Sequence, residues 1–253
     1  MSAPAGEAAA RPLPLVVVPG MLCDEDLWSD VVFPEGHEVH HLSLTKTDLG
    51  ALAEDLLSVV SGPFVLVGLS LGAIVGFEAL RRAPERIAGL CVMSTNAGAP
   101  RPGQYTAWRD LDALIAADRF EEAVEQTLPG MFALPEPARE QALRYREMAH
   151  RVGRGPARAQ LAAQATRTDA FDALGGARCP GVVLHGTRDA LCPPEFHRAV
   201  ARALPDARLH AVDGAGHLLP WERPDAVSEA VRDLLARAGA APLAPSSAAP
   251  PVA

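Results

Sequence analysis

Gly68-Leu69-Ser70-Leu71-Gly72 is the stretch of sequence that decides the fold. It follows the apolar run 64–67 and precedes the amphipathic stretch 73–82, a pattern that predicts a strand, a sharp turn and a helix. Side chains in place of the two glycines would collide with the neighbouring strand and helix. The turn is therefore expected to hold Ser70 in a strained backbone conformation, with its hydroxyl exposed above the sheet as a nucleophile.

Two later strand ends supply the polar side chains that a nucleophilic serine needs. The segment 180–186 reads as a buried parallel strand and leads to Asp189, and the strand predicted at 207–212 leads to His217. A serine needs a base to take its proton and an acid to orient that base. Because the carboxyl ends of parallel strands meet at one edge of a sheet, Ser70, Asp189 and His217 are expected to converge there.

Two other acids compete with Asp189 as the partner of His217. Asp213 and Glu222 both lie closer to His217 in sequence. Closeness in sequence is a weak guide, since residues a few positions apart in a turn often face different ways. Asp189 is preferred because it follows a strand of its own.

Apolar periodicity predicts an α/β fold with a mostly parallel sheet of six strands, or more, covered by helices on both faces. The strands are expected near 13–18, 37–43, 64–68, 87–93, 181–185 and 207–212, and the core helices near 47–60, 71–82, 195–203 and 224–237. The chain before Leu13 is too short for an opening antiparallel pair of strands, so that pair is predicted to be missing or vestigial.

The middle of the chain carries helical spacing and no strand pattern. Helices are predicted at 106–117, 119–128, 137–151 and 157–167. This gives a flexible N-terminus at 1–12, a core formed by 13–96 and 177–238, and a helical cap at 97–176. Residues 239–253 are rich in alanine, proline and serine and are expected to be disordered.

Composition limits the class of protein. The chain has 253 residues, 49% hydrophobic and 21% charged, with a net charge of −8 and a pI near 5.5, which argues against binding of nucleic acid. No secretory signal and no membrane span are recognised. The four cysteines are too few and too scattered for a disulfide framework or a Cys-x-x-Cys metal site. A cytoplasmic protein without membrane partners is expected, and its oligomeric state stays open.

Four separated blocks resemble the α/β-hydrolase superfamily, and within it the small, cap-bearing group of serine esterases, lactonases and C–C hydrolases. The blocks are Val16–Asp24, the turn at 68–72, Cys179–Asp189 with Pro193–Pro194, and Gly214–His217 followed by Glu222-Arg-Pro224. The resemblance implies that Ser70 is the nucleophile, His217 the general base and then acid, and Asp189 the carboxylate that orients His217.

An oxyanion hole follows from the same site, because a tetrahedral intermediate needs two backbone donors. Leu71 supplies one donor as the residue after the nucleophile, and the resemblance places the second at Met21. Many relatives have His-Gly where this chain has Pro19-Gly20, a change that should leave an amide donor intact. No metal and no organic cofactor is implied.

The predicted function is hydrolysis of a carboxylic ester or lactone of a small, largely apolar molecule through an acyl-enzyme on Ser70. Alternatives on the same scaffold are a C–C bond hydrolase, a cofactor-free lyase and a binding protein without activity. Substrate contacts are predicted at five positions, four in the cap and one beside His217: Trp108, Met131, Phe132, Tyr145 and Leu218.

Overall fold

The computed structural model describes residues 12–240, and a six-stranded sheet forms their centre. All five neighbouring pairs of strands are parallel, in the spatial order β2-β1-β3-β4-β5-β6. The strands are β1 (Leu15–Val18), β2 (Val39–His41), β3 (Phe64–Leu69), β4 (Ile87–Met93), β5 (Gly181–Gly186) and β6 (Ala207–Val212). The predicted fold class is confirmed.

Helices connect consecutive strands and cover both faces of the sheet. They are α1 (Leu49–Ser58), α2 (Leu71–Arg82), α3 (Pro102–Ala116), α4 (Phe120–Met131), α5 (Arg139–Val152), α6 (Arg154–Ala165), α7 (Phe171–Gly175), α8 (Pro194–Ala203), α9 (Leu219–Glu222) and α10 (Pro224–Ala240). Two short 3₁₀ helices lie at Glu25–Trp28 and Pro84–Arg86.

The central strands are buried on both faces, which is why they read as continuous apolar runs rather than as alternating ones. Along β3, Val65 and Val67 belong to one hydrophobic cluster, while Phe64 and Leu66 belong to the cluster on the opposite face. All six residues of β3 are buried. The strand that leads to Ser70 is thus held in place by packing on both of its faces.

Several boundaries differ from the sequence prediction. Helix α3 begins at Pro102, because proline suits the first turn of a helix, where its missing N–H leaves no hydrogen bond unmade. Helix α10 extends to Ala240, so the prediction that the disordered tail starts at 239 is wrong by two residues. The rest of that predicted tail, 241–253, and positions 1–11 of the predicted flexible N-terminus lie outside the described residues. Within 12–240 no antiparallel strand pair occurs.

Five helices, α3 to α7, lie between β4 and β5, and we call the segment 97–176 the helical insertion. Helices α3, α4, α5 and α6 pack against one another, whereas α7 packs against α2 and α8 beside the sheet. The insertion therefore returns to the sheet before β5 begins. Its treatment as a cap domain separate from the core stays a prediction.

None of the helices within residues 12–240 combines the length and the apolar character that a bilayer crossing requires.

Candidate active site

Ser70 occupies a strained turn between β3 and α2. Its φ of 53° is positive, a conformation that residues other than glycine rarely adopt. A Cβ atom at Gly68 would lie 2.7 Å from the backbone nitrogen of Ala73, and one at Gly72 would lie 2.2 Å from the backbone oxygen of Val18. Only glycine fits at both positions, because the obstacles are backbone atoms of helix α2 and strand β1.

Hydrogen bonds to residues at the end of β4 hold the turn in place. The Ser70 N–H donates to the Met93 carbonyl at 2.9 Å, and the hydroxyl of Thr95 donates to the Ser70 carbonyl at 3.1 Å. The loop after β1 approaches from the other side, since a Cβ atom at Gly20 would lie 3.5 Å from the Cβ of Ser70. Ser70 is thus supported by the loops that follow β1 and β4.

Asp189 and His217 form a buried hydrogen-bonded pair. His217 Nδ1 donates to Asp189 Oδ2 at 2.9 Å, and both residues are almost fully buried. The second oxygen, Oδ1, accepts the N–H groups of Leu191 and Cys192, each at 2.9 Å. Because the carboxylate fixes Nδ1 as the protonated nitrogen, Nε2 is left as the basic atom of the ring.

Electrostatics favour the ionised form of Asp189. Burial alone would raise the pKa of this carboxyl, but the positive charge that His217 can carry and the hydrogen bonds from His217, Cys192 and Leu191 hold the pKa below its ordinary value. A carboxylate that stays ionised can stabilise a protonated imidazole beside it.

Glu222, one of the acids that competed as the partner of His217, accepts backbone N–H groups instead. Its carboxylate accepts the N–H of Gly216 at 2.7 Å and the N–H of Ala133 at 2.9 Å. Burial raises the pKa of Glu222 above its ordinary value, against the effect of these two bonds. Glu222 thereby ties the loop that carries His217 to the helical insertion.

Asp213, the other competing acid, is exposed and accepts a hydrogen bond from the hydroxyl of Thr187 at 3.2 Å. Neither Asp213 nor Glu222 makes a hydrogen bond to His217 among the described contacts, whereas Asp189 does.

The predicted oxyanion-hole residues lie on two sides of Ser70. Leu71 is the first residue of α2, and Met21 lies in the loop after β1. The next residue of that loop, Leu22, has a positive φ of 60°, and its N–H donates to the side-chain oxygen of Gln160 at 2.9 Å. The Gln160 amide nitrogen in turn donates to the Leu44 carbonyl at 3.1 Å.

Gln160 is a residue that the sequence reasoning missed. It lies on α6, is 1% exposed, and shapes the loop that holds Met21. A single glutamine within a helix carries no sequence signal for such a role, because its partners lie more than 100 residues away in the chain.

The five predicted substrate contacts all lie in the interior or at its edge. Trp108, Met131 and Phe132 are buried, and Tyr145 and Leu218 are fully buried. The Tyr145 hydroxyl bonds to the Thr127 hydroxyl at 2.7 Å, and the Leu218 N–H donates to the Met131 carbonyl at 3.0 Å. These bonds show how the residues pack, and their contact with a substrate stays a prediction.

The side chains of Asp189, Cys192 and His217 bring three atoms of metal-binding type within 4.8 Å of one another. Burial raises the pKa of the Cys192 thiol far above its ordinary value, so the thiol stays protonated at neutral pH, whereas metals bind the thiolate. Asp189 is also occupied by three hydrogen bonds. The residues fit a proton-transfer pair better than a metal site.

Comparison with known proteins gives consistent matches. The model of the alpha/beta hydrolase family matches residues 15–230. A pimeloyl-[acyl-carrier protein] methyl ester esterase of Chromobacterium violaceum is 30% identical over 187 residues, which cover 69% of this chain and 71% of that protein.

Two solved structures extend the comparison to three dimensions. A thermophilic esterase from Thermogutta terrifontis, solved with malate bound, has a TM-score of 0.78 at 26% identity and covers 89% of this chain and 90% of its own. The enol-lactonase from Burkholderia xenovorans LB400 has a TM-score of 0.73 at 21% identity and covers 88% and 92%, a likeness that concerns the fold alone.

Proposed function

The chain belongs to the alpha/beta hydrolase family, and we propose that it hydrolyses carboxylic esters or lactones of small, largely apolar molecules through an acyl-enzyme on Ser70. The observation that carries the proposal is the buried Asp189–His217 pair, placed at the strand edge where the strained Ser70 turn lies. A nucleophile, a base and an orienting acid on three different strand ends are the parts that acyl transfer requires.

In the first half-reaction, Ser70 Oγ attacks the substrate carbonyl while His217 Nε2 takes the hydroxyl proton. Asp189 holds the ring through Nδ1 and stabilises the imidazolium that forms. The backbone N–H groups of Leu71 and Met21 bind the oxyanion of the tetrahedral intermediate. Collapse of that intermediate expels the alcohol, which receives its proton from His217.

In the second half-reaction, water replaces the alcohol. His217 removes a proton from the water as it attacks the acyl carbon, and a second tetrahedral intermediate forms in the same oxyanion hole. Its collapse returns the proton to Ser70 and releases the carboxylic acid. In a lactone the alcohol and the acid are parts of one molecule, so one open-chain hydroxy acid leaves.

The surroundings of the loop after β1, which carries Met21, support an apolar acyl group. A cavity of about 10 Å³ beside Met21 is bordered mainly by apolar side chains of α3, α4 and α6, among them Leu111, Phe120 and Leu161. That volume holds about one water molecule, so the support for an apolar acyl group comes from the apolar side chains around the loop and not from the size of this cavity. The helical insertion would then exclude bulk water during the reaction.

Steady-state hydrolysis of 4-nitrophenyl butyrate tests the proposal. The wild-type protein is expected to release 4-nitrophenol with a burst that precedes the steady rate, because the acyl-enzyme accumulates. Ser70→Ala is expected to lose at least about 1,000-fold in kcat while its melting temperature stays near the wild-type value. Equal rates in the wild-type protein and the folded Ser70→Ala variant would contradict the role of Ser70.

A further inference from the structure

Arg167 is a buried cation at the point where the helical insertion returns to the sheet. It follows α6 and is only 5% exposed. Its hydrogen bonds in the described part of the chain run from Nη2 to the side-chain oxygens of Asn96 at 3.4 Å and Gln104 at 3.2 Å. Both acceptors are neutral amides, so no carboxylate balances this charge among residues 12–240.

The other arginines of the insertion behave differently. Seven of these nine form ion pairs with carboxylates: Arg109, Arg119, Arg144, Arg146, Arg151, Arg154 and Arg158. These seven have side chains at least 30% exposed. Arg167 is thus the most deeply buried arginine of the helical insertion. A bound counter-charge would stabilise it more than it would stabilise the exposed arginines.

The guanidinium of Arg167 keeps donors free. Nε is buried and has no hydrogen-bond partner, and the described contacts give none to Nη1. The ring of Trp108 covers the cation, with 5.4 Å between the guanidinium carbon and the ring centroid, an arrangement that stabilises positive charge without using an N–H group. Burying an N–H donor without an acceptor costs free energy, so an acceptor at this place would be bound favourably.

The electrostatic surroundings of Arg167 also favour binding of an anion. Burial lowers the pKa of Arg167 from its ordinary value, yet an arginine side chain remains protonated in proteins. A permanent charge in a region of low dielectric attracts an anion more strongly than an exposed charge does. The two forked edges of a guanidinium are Nε with Nη2 and Nη1 with Nη2. Because Nη2 already donates to Asn96 and Gln104, the donor left for a carboxylate is Nη1.

Arg167 lies close to the reaction centre. Its partner Asn96 is next in the chain to Thr95, whose hydroxyl donates to the Ser70 carbonyl at 3.1 Å. The side chain of Asn96 also lies beside the thiol of Cys192, and the N–H of Cys192 donates to Asp189. The free donors of Arg167 therefore belong to the same rim of the sheet as Ser70 and Asp189.

Resting on the proposed function, we propose that Arg167 binds the free carboxylate of a substrate that is both an acid and an ester, such as a half-ester of a dicarboxylic acid. The ester carbonyl would face Ser70 and the carboxylate would face Nη1 of Arg167. The acyl chain between them would be apolar, in keeping with the apolar side chains that surround the loop of Met21.

Matched pairs of esters test this assignment. We would compare kcat/KM for the mono-4-nitrophenyl esters of succinic, glutaric and adipic acid with 4-nitrophenyl butyrate, pentanoate and hexanoate, which have acyl chains of equal length. The wild-type protein is expected to favour the anionic member of at least one pair. Arg167→Met should lower kcat/KM for that anionic ester by at least about 10-fold, the worth of one charge-assisted hydrogen bond, and for its neutral partner by less than about 3-fold.

Two further variants separate binding from folding. Arg167→Lys keeps the charge but lacks the planar guanidinium, and should show an intermediate loss on the anionic ester alone. Arg154→Met removes an exposed arginine from α6, one that pairs with Asp118, and should leave both rates unchanged. If Arg167→Met fails to fold, the selectivity of Arg167→Lys decides. Equal losses on anionic and neutral esters would overturn the proposal, because they would assign Arg167 a purely structural role.

A binding experiment separates this proposal from the proposed chemistry. Calorimetric titration of glutarate into Ser70→Ala requires no turnover, and glutarate is expected to bind to that variant and to lose at least about 10-fold in affinity when Arg167→Met is added. If the wild-type protein hydrolyses none of the esters but glutarate binding depends on Arg167, the proposed function fails and the anion site stands. Glutarate affinity that is absent or independent of Arg167 would overturn the site itself.

Discussion

At the scale of single residues, the proposed chemistry depends on how a few side chains are held. Ser70 is placed by a strained backbone that only flanking glycines permit, and His217 is oriented by the buried carboxylate of Asp189. Each restraint is set before any substrate arrives. Such preorganisation is what lowers the free energy of an acyl-transfer transition state.

Asp189→Asn is expected to lower kcat for ester hydrolysis by about 10⁴-fold with little change in KM. An amide at this position can present its NH₂ group to Nδ1, which would leave the proton on Nε2, the nitrogen that must act as the base. Circular dichroism and the melting temperature would confirm that the variant folds.

Asp213→Asn is the matched control, since this exposed acid also follows a strand end and its side chain bonds only to Thr187 in the described residues. It should keep kcat within about 3-fold of the wild-type value. Full activity in Asp189→Asn, or a large loss in Asp213→Asn, would move the orienting role to another acid.

At the scale of elements, the sequence predicted the strands well. Apolar runs such as 64–67 and 182–184 are local signals, because a strand buried on both faces favours apolar side chains along its length. The turn at 68–72 was equally readable, since its glycines are required by backbone atoms of β1 and α2. Helix ends were predicted less accurately. Helix α3, predicted from residue 106, begins at Pro102, because proline suits the first position of a helix.

Contacts between the helical insertion and the sheet could not be predicted. Gln160, Glu222 and Arg167 each join segments that are far apart in the chain. Polar residues of these types are common on helices and in loops, and their partners are selected by tertiary packing. The sequence therefore gave candidate residues at strand ends, while the residues that position their loops emerged only from the structure.

Gln160→Leu is expected to lower kcat by about 10-fold, since it leaves the N–H of Leu22 without an acceptor and loosens the loop that carries the Met21 donor. KM should change less than kcat, because the oxyanion forms only after binding. Gln126→Leu changes an exposed glutamine on α4 and serves as the control, with activity near the wild-type value. A loss confined to KM in Gln160→Leu would count against the link to the oxyanion hole.

At the scale of the whole molecule, a pair of buried histidines links β5 to α8. The rings of His185 and His197 stack with centroids 4.9 Å apart, and His197 Nε2 accepts the N–H of Thr95 at 2.9 Å. Burial lowers the pKa of His197 from 6.5 to about 4, with a further contribution from the nearby His185. His197 is therefore neutral in the folded protein at neutral pH.

This low pKa predicts loss of stability in mild acid. In the unfolded chain His197 takes up a proton near pH 6.5, whereas in the folded protein it does so near pH 4. The contribution of His197 to the free energy of unfolding is thus fully present above pH 6.5 and should fall as the pH drops toward 4, by on the order of 3 kcal/mol.

Urea unfolding of the wild-type protein and of His197→Gln, followed from pH 7.5 to 4, measures this contribution. Lost packing in the variant shifts its free energy of unfolding at every pH, so the slope between pH 6.5 and 4 is the quantity to compare. The variant should have the shallower slope, and parallel curves would show that His197 titrates normally in the folded protein.

The central claim is that Ser70 is an activated nucleophile, and mapping of a fluorophosphonate adduct by peptide mass spectrometry tests it most directly. The account predicts a single adduct on the peptide that contains Ser70, formed rapidly in the native protein, slowly in His217→Ala, and not at all after unfolding in urea. An adduct on another residue, or labelling of Ser70 at the same rate with and without His217, would contradict it.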